Sequence, residues 1–275
     1  MKSIVFNQGI ILTETTEIPV GQGYVEIAPE KVLVDGLENA IFLGLLWVRP
    51  NLILGSIGLG KVTDVGIGID QSIIGKKVLI MPYSPSRGGI GTEVNGVLAE
   101  RSVVPLDSVV VLPDDIDDRS LLLPFISLAL QIKELTKGSP TLVIGSGLTA
   151  IIFKAITDGN VEFADDSISL KNQFSKRWDY VVVSTLSGWA RHVAEKILTE
   201  DGKVFVPKFL NSWPPYIPNS GIPLYPKARK DWIDLLDSKE IENIIKNFIG
   251  RSDNVIASIP TPKPGIIADV KKTLK

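Results

Sequence analysis

Short apolar runs broken by glycine dominate the first third of the chain. Residues 3–6, 10–13, 24–27, 31–34, 61–65, 77–81 and 100–105 each read as a strand, with Gly55, Gly58, Gly60, Gly66, Gly68, Gly75, Gly88, Gly89, Gly91 and Gly96 between or beside them. Such spacing predicts a compact β-barrel or sandwich with many tight turns. The pattern changes near Leu112-Pro113. An acidic stretch, 114–118, precedes an apolar segment, 121–135, which reads as a buried helix closed by Gly138-Ser139-Pro140. Residues 141–144 form an apolar run of the kind a buried parallel strand carries. Further strands at 161–164, 180–184 and 203–206 alternate with helices at about 148–157 and 188–198, which predicts βαβ units and a parallel sheet. Residues 209–226 read as a loop rich in Pro, Asn and Ser, within which 222–225 can supply an edge strand. Residues 231–248 have helical periodicity, 255–259 read as a strand and 266–274 as a terminal helix. The expected division is a β-rich lobe over residues 1–118, an α/β lobe over 119–252, and a return of 253–275 to the first lobe.

Composition narrows the chemistry. The 275 residues include no cysteine and a single histidine, His192, so thiolate catalysis, disulfides and thiolate metal sites are excluded. A formal net charge of −2 and the lack of a basic run argue against a nucleic-acid partner. The longest apolar stretch, 121–132, is too short to span a bilayer and is interrupted by Pro124 and Ser127, so no membrane partner is expected. The opening residues, MKSIVFNQG, turn polar too soon for a secretory signal, which points to the cytoplasm.

Gly145-Ser146-Gly147-Leu148-Thr149-Ala150 lies between a predicted strand and a predicted helix and fits the G-x-G-x-x-G/A fingerprint of dinucleotide binding. The first glycine permits a tight turn, the second allows close approach of a pyrophosphate, and Ala150 permits close helix–strand packing. Asp165 or Asp166, about twenty residues on, is placed to accept a hydrogen bond from a ribose 2′-hydroxyl, which would favour NAD over NADP. Ser184, Thr185 and Ser187 follow the end of a strand, where sites in open sheets form. A strand-to-helix turn needs glycine with or without a ligand, so the motif also has a purely structural reading.

The order of pieces resembles the medium-chain dehydrogenase/reductase superfamily, the alcohol dehydrogenase-like proteins. The stretches that carry it are MKSIVFNQG with Glu17-Ile18-Pro19-Val20, the glycine-rich 54–66, Gly75-Lys76-Lys77-Val78, 95–101 and Leu112-Pro113-Asp114. The resemblance implies an α/β fold with a GroES-like β lobe plus a trimmed Rossmann-like parallel-sheet lobe. Trimming is expected because only 13 residues separate Asp166 from Tyr180, where the family inserts a helix, a strand and another helix. The resemblance also implies a zinc site in many members, and here the ligand positions hold Glu38, Ser56 and Phe125, a set unfit for tetrahedral zinc. Tyr83 to Val94 stand where a four-cysteine structural lobe would be. Zinc-free relatives, among them quinone and enoyl reductases, reduce activated double bonds with NADPH.

Two functions follow as expectations. One is a zinc-independent, NAD- or NADP-dependent oxidoreductase acting on a small carbonyl or enone, assembled as a homodimer. The other is a non-catalytic scaffold or complex subunit that keeps the fold. Tyr83 as an acid, Arg87 as an anion clamp, Glu38 in a cleft and Trp213-Pro214-Pro215-Tyr216 as a lid or partner contact are weaker candidates beside ordinary surface or packing roles. His192 reads as a helix-surface residue with no catalytic partner.

Overall fold

The computed structural model describes residues 1–165, 173, 175–208, 216–229 and 231–275. It divides into two compact units, Met1–Leu122 with Phe248–Lys275, and Leu123–Asn247. Among the described residues no helix is long and apolar enough to cross a membrane.

In the first unit, β1 (Lys2–Phe6) pairs with β2 (Ile10–Glu14) and β4 (Leu52–Ile53). A larger sheet is organised around β3 (Tyr24–Val34), which pairs with β5 (Ile57–Val65) and β9 (Ser102–Pro105). β5 continues to β6 (Lys77–Ile80) and β10 (Val109–Val111), and β7 (Tyr83–Ser84) pairs with β8 (Gly88–Gly89). Two sequence-level strands, 24–27 and 31–34, are one continuous β3. The ladder absorbs Pro29, which has no N–H, through a register shift between Pro29 and Lys31. A short helix, α1 (Gly36–Phe42), follows β3, a segment in which the hydrophobic pattern predicts no element.

The second unit holds a five-stranded, wholly parallel sheet. Its strands are β11 (Thr141–Ile144), β12 (Val161–Ala164), β13 (Trp178–Val183), β14 (Leu198–Pro207) and β15 (Gly221–Leu224), in the order β12-β11-β13-β14-β15. Leu142, Ile144, Val181, Val183, Val204 and Val206 pack on Ala190, Val193 and Ala194 of α4 (Gly188–Lys196). The alternate residues Val143, Val182 and Phe205 are equally buried. Both faces are therefore covered, which is why these strands read as unbroken apolar runs rather than alternating ones. α2 (Leu123–Thr136) packs beside α3 (Leu148–Ile156).

The region expected as one helix over 231–248 is two, α5 (Trp232–Leu236) and α6 (Lys239–Phe248). Ser238 separates them: its N–H bonds back to Leu235 while its hydroxyl accepts from the Ile241 N–H, starting a new helix. The chain then returns to the first unit through β16 (Ile249–Ser252) and β17 (Gly265–Asp269), and ends in α7 (Val270–Thr273). Two expectations fail here. Residues 255–259 contain a single 3-10 turn at Ile256–Ser258 rather than a strand, and 266–274 begin as strand, not helix. β17 lies antiparallel to β3, with Ile266, Ile267 and Ala268 opposite Val34, Leu33 and Val32. That distant partner, rather than local helix propensity, decides the conformation.

Candidate functional site

In the second unit the strand order places a reversal between β11 and β13. From β11 the chain first crosses to β12 on one side and later to β13 on the other. Such a point opens a crevice at the carboxyl ends of the strands. Gly145 sits there: its N–H donates to the Ala164 carbonyl at 2.9 Å, and the neighbouring Ser184 N–H donates to the Ile144 carbonyl at 2.8 Å. The fingerprint turn, the end of β12 and the end of β13 are thus tied together at one edge of the sheet.

The two glycines of the turn have different causes. Gly145 has φ +107°, and a methyl group there would lie 2.5 Å from the Ser184 carbonyl oxygen. The protein's own packing demands glycine at that position. Gly147 has no such requirement. Its nearest would-be contacts are the Ser184 Oγ at 3.2 Å and the Ser184 oxygen at 3.4 Å. A side chain there would press on the Ser184 hydroxyl and only touch its backbone carbonyl, a far milder conflict than at Gly145, so packing constrains this glycine much less. Gly147 is the residue preceding α3, and it supplies no side-chain cap to that helix. The N-terminal amides of a helix left without a side-chain cap suit an anion.

Ser146 is exposed, whereas Leu148, Thr149 and Ala150 are buried beneath the turn, Ala150 at the place a close helix–strand approach needs a small residue. Asp165 is exposed at the end of β12, directly after the carbonyl that receives the Gly145 amide. Asp166 lies outside the described residues, as do Trp213, Pro214 and Pro215. Ser184 is buried against the turn. Ser187 is committed elsewhere: its Oγ caps α4 by accepting from the Ala190 N–H at 3.2 Å, and its own N–H donates to Thr185 Oγ1. Of the residues expected to hold a dinucleotide, Gly145, Ser146, Gly147, Leu148 and Ala150 form the turn and the start of α3, with Ser184 against it and Asp165 at the end of β12, while Asp166 lies outside the described residues; a turn of this shape has room for a pyrophosphate-bearing group.

His192 is half-buried on α4 rather than freely exposed, its ring 5.8 Å from that of Trp189 and edge-on to Tyr216 at 5.6 Å. The Tyr216 hydroxyl donates to the Glu195 carboxylate, which holds Glu195 below the ordinary carboxylate range.

In the first unit Glu38 and Ser56, the zinc-ligand positions implied by the resemblance, do come together. Glu38 is buried on α1 and accepts hydrogen bonds from the backbone N–H of Asp35, at 3.0 Å, and from that of Ser56. Asp35 in turn accepts from the Leu37 N–H at 2.8 Å, completing a capping box. Burial raises both carboxyls, Asp35 to about 6 and Glu38, which also feels the Asp35 charge, to about 8. Asp35 was missed in the sequence, although Asp-x-x-Glu ahead of Ala40 and Ile41 is the capping-box signature. Ser56 Oγ is buried and, among the described residues, has no hydrogen-bond partner.

This donor set does not fit zinc. Glu38 is already saturated by backbone amides, Ser56 brings a hydroxyl where a strong ligand is needed, and Phe125 is an apolar residue of α2. Among the described residues no group of three or more His, Cys, Asp or Glu is placed to hold a metal ion. Of the weaker candidates, Arg87 lies over the ring of Tyr24, 5.5 Å from its centroid, and Tyr83 sits half-buried in β7.

No family model matches the chain. L-threonine 3-dehydrogenase from Xanthomonas euvesicatoria is 28% identical over 130 residues, which are 40% of this chain and 38% of that protein. The enzyme of the same name from Stenotrophomonas maltophilia is 28% identical over 139 residues, 42% of this chain and 41% of that protein. The match thus spans about two fifths of the curated relatives' length. Solved structures align over nearly the whole chain. An Escherichia coli alcohol dehydrogenase complexed with NADH superposes with a TM-score of 0.69 at 14% identity, covering 98% of this chain and 99% of that one. Galactitol-1-phosphate dehydrogenase from Escherichia coli gives 0.69 at 14%, covering 98% and 100%. A cobalt- and zinc-bound alcohol dehydrogenase from Pyrobaculum aerophilum gives 0.65 at 15%, covering 98% and 99%. At these identities the likeness is one of fold.

Proposed function

Since this chain has the fold of the alcohol dehydrogenase-like medium-chain dehydrogenase/reductase superfamily, a GroES-like β lobe plus a Rossmann-like lobe, we propose that it is a nicotinamide-dependent oxidoreductase working without zinc. The observation that carries the reading is Gly147. It stands at the uncapped start of α3, at the reversal of a parallel sheet, where the protein's own packing does not demand glycine.

In this reading the first-turn amides of α3 bind the pyrophosphate, and Gly147 leaves room for it. Asp165 accepts from the adenosine ribose, which favours NAD(H) over NADP(H). Ser184 lines the turn from the neighbouring strand. The nicotinamide, when bound, supplies or accepts a hydride, and a small carbonyl or enone is the proposed substrate. The alcohol dehydrogenase solved with NADH and the L-threonine 3-dehydrogenases that match about two fifths of the chain support a redox role. Zinc independence rests on the misfit of Glu38, Ser56 and Phe125. A homodimer is proposed through β15, the edge strand on which Ile222 is exposed.

One observation favours a second reading, a dehydrogenase-like scaffold without catalysis. Among the described residues β12 is the edge of the sheet, and no further described strand flanks the side on which an adenosine would lie. Nucleotide binding separates the two. Thermal shift of the full chain with NAD(H) and NADP(H), compared with Gly147→Val, supports the oxidoreductase if the shift is present and lost in the variant. Absence of any shift leaves the scaffold.

A further inference from the structure

We propose that a hollow on the first unit, separate from the glycine turn, binds a small zwitterion, an amino acid with an apolar side chain. The hollow has a volume of about 300 Å³. That is at the small end of ligand pockets, matched to a molecule of a few heavy atoms rather than to a cofactor. Ile18, Val94 and Val103 give it apolar walls, and Tyr24 adds a ring.

Two opposite charges line the same space, Arg49 and Glu93. Each is tethered. Asn95 Oδ1 accepts from the Ile53 backbone N–H at 3.3 Å and from Arg49 Nη2 at 3.1 Å, so a backbone-anchored amide steadies the guanidinium. Glu93 Oε2 accepts from the Gly89 N–H at 2.5 Å, which fixes the carboxylate. Among the described residues neither Arg49 nor Glu93 takes part in an ion pair. Exposed arginine and glutamate side chains are usually solvated and mobile. Here both are held beside apolar surface without neutralising each other.

A zwitterion matches this arrangement term by term. Its carboxylate takes the remaining N–H donors of Arg49, its ammonium donates to Glu93, and its side chain covers Ile18, Val94 and Val103. Arg87, above the Tyr24 ring, holds that ring in place by a cation–π contact. The proposal is independent of nucleotide binding in the second unit.

The test uses the full chain, with L-leucine as probe, isocaproate as its analogue lacking the ammonium, and isopentylamine as its analogue lacking the carboxylate. Leucine is expected to perturb the amide resonances of Tyr24, Val94 and Val103 and to bind more tightly than either analogue. Arg49→Met is expected to weaken leucine and isocaproate by about tenfold, the loss of one charge-assisted pair, and to leave isopentylamine unchanged. Glu93→Gln is expected to weaken leucine and isopentylamine and to leave isocaproate unchanged. Arg49→Lys, which keeps the charge without the fork, should fall between. Both positions lie on the surface of the unit, and an unchanged amide spectrum elsewhere reports an intact fold. Equal weak binding of all three probes, binding insensitive to either substitution, or no perturbation at millimolar leucine would each overturn the proposal.

Discussion

A methyl group on Gly145 would lie 2.5 Å from the carbonyl oxygen of Ser184, closer than any packed carbon can sit. With a φ of +107°, this glycine serves the fold whatever binds nearby. Gly145→Ala is therefore expected to destabilise the second unit by roughly 1–3 kcal/mol or more from backbone strain and contact. At roughly 2–4 °C per kcal/mol, calorimetry would read a lowered Tm. A wild-type Tm in this variant would mean the turn is not built as described.

Gly147→Val probes the ligand rather than the fold. At about 100 times its Kd, a bound nucleotide adds roughly 2.7 kcal/mol, which corresponds to about 5–10 °C in Tm. The wild-type chain should show that shift with NAD(H), and Gly147→Val should lose it while its own Tm drops less than that of Gly145→Ala. A shift that survives the valine would move the binding site elsewhere. Asp165→Ala should narrow the preference for NAD(H) over NADP(H), and an unchanged preference would take that role from Asp165.

The buried Asp35–Glu38 pair predicts a pH dependence of stability. Glu38 ordinarily titrates near 4.5 and is pushed up to about 8 in the folded chain, so folding holds a proton that the unfolded chain releases. Stability tied to that proton is fully present below about 4.5 and is lost as pH rises through about 8. Asp35, raised to about 6, acts in the same direction over a lower range. Urea midpoints measured across this interval should fall with increasing pH. Glu38→Gln, which cannot titrate, should flatten the profile, and an equally steep profile in the variant would assign the effect to other groups.

Metal chelation should leave the protein untouched. Glu38 and Ser56 occupy the ligand positions but fail as a donor set, so EDTA is expected to change neither Tm nor nucleotide binding. Elemental analysis returning near one zinc per untagged chain would contradict this.

Association is expected along β15. Ile222→Lys places a charge on that edge strand and should shift a dimer toward monomer in light scattering, with little change in secondary structure. A monomeric wild type across a wide concentration range would remove the edge as an interface.

Much of the glycine turn was legible in the sequence because its cause is local. The strands at 141–144 and 161–164 coincide with β11 and β12, and the motif lies between β11 and α3, because an apolar run, a glycine turn and a helix follow one another within a few residues. What differentiates Gly145 from Gly147 was not legible. It depends on Ser184, some forty residues later, arriving beside the turn by strand pairing. Asp35 carried its own signal in Asp-x-x-Glu, hidden by the absence of a long apolar period to mark α1.

Composition and short patterns suffice for the class of the protein: β-rich then α/β, without thiol chemistry, with one glycine turn between a strand and a helix. The remainder depended on long-range packing. It turned residues 265–269 into a strand because β3 offers an antiparallel partner more than 200 residues away. It also brought Ser56 onto Glu38 and left both out of water, where desolvation rather than residue type sets the charge. Pairing and burial are sums over distant neighbours, so no local window of the chain contains them.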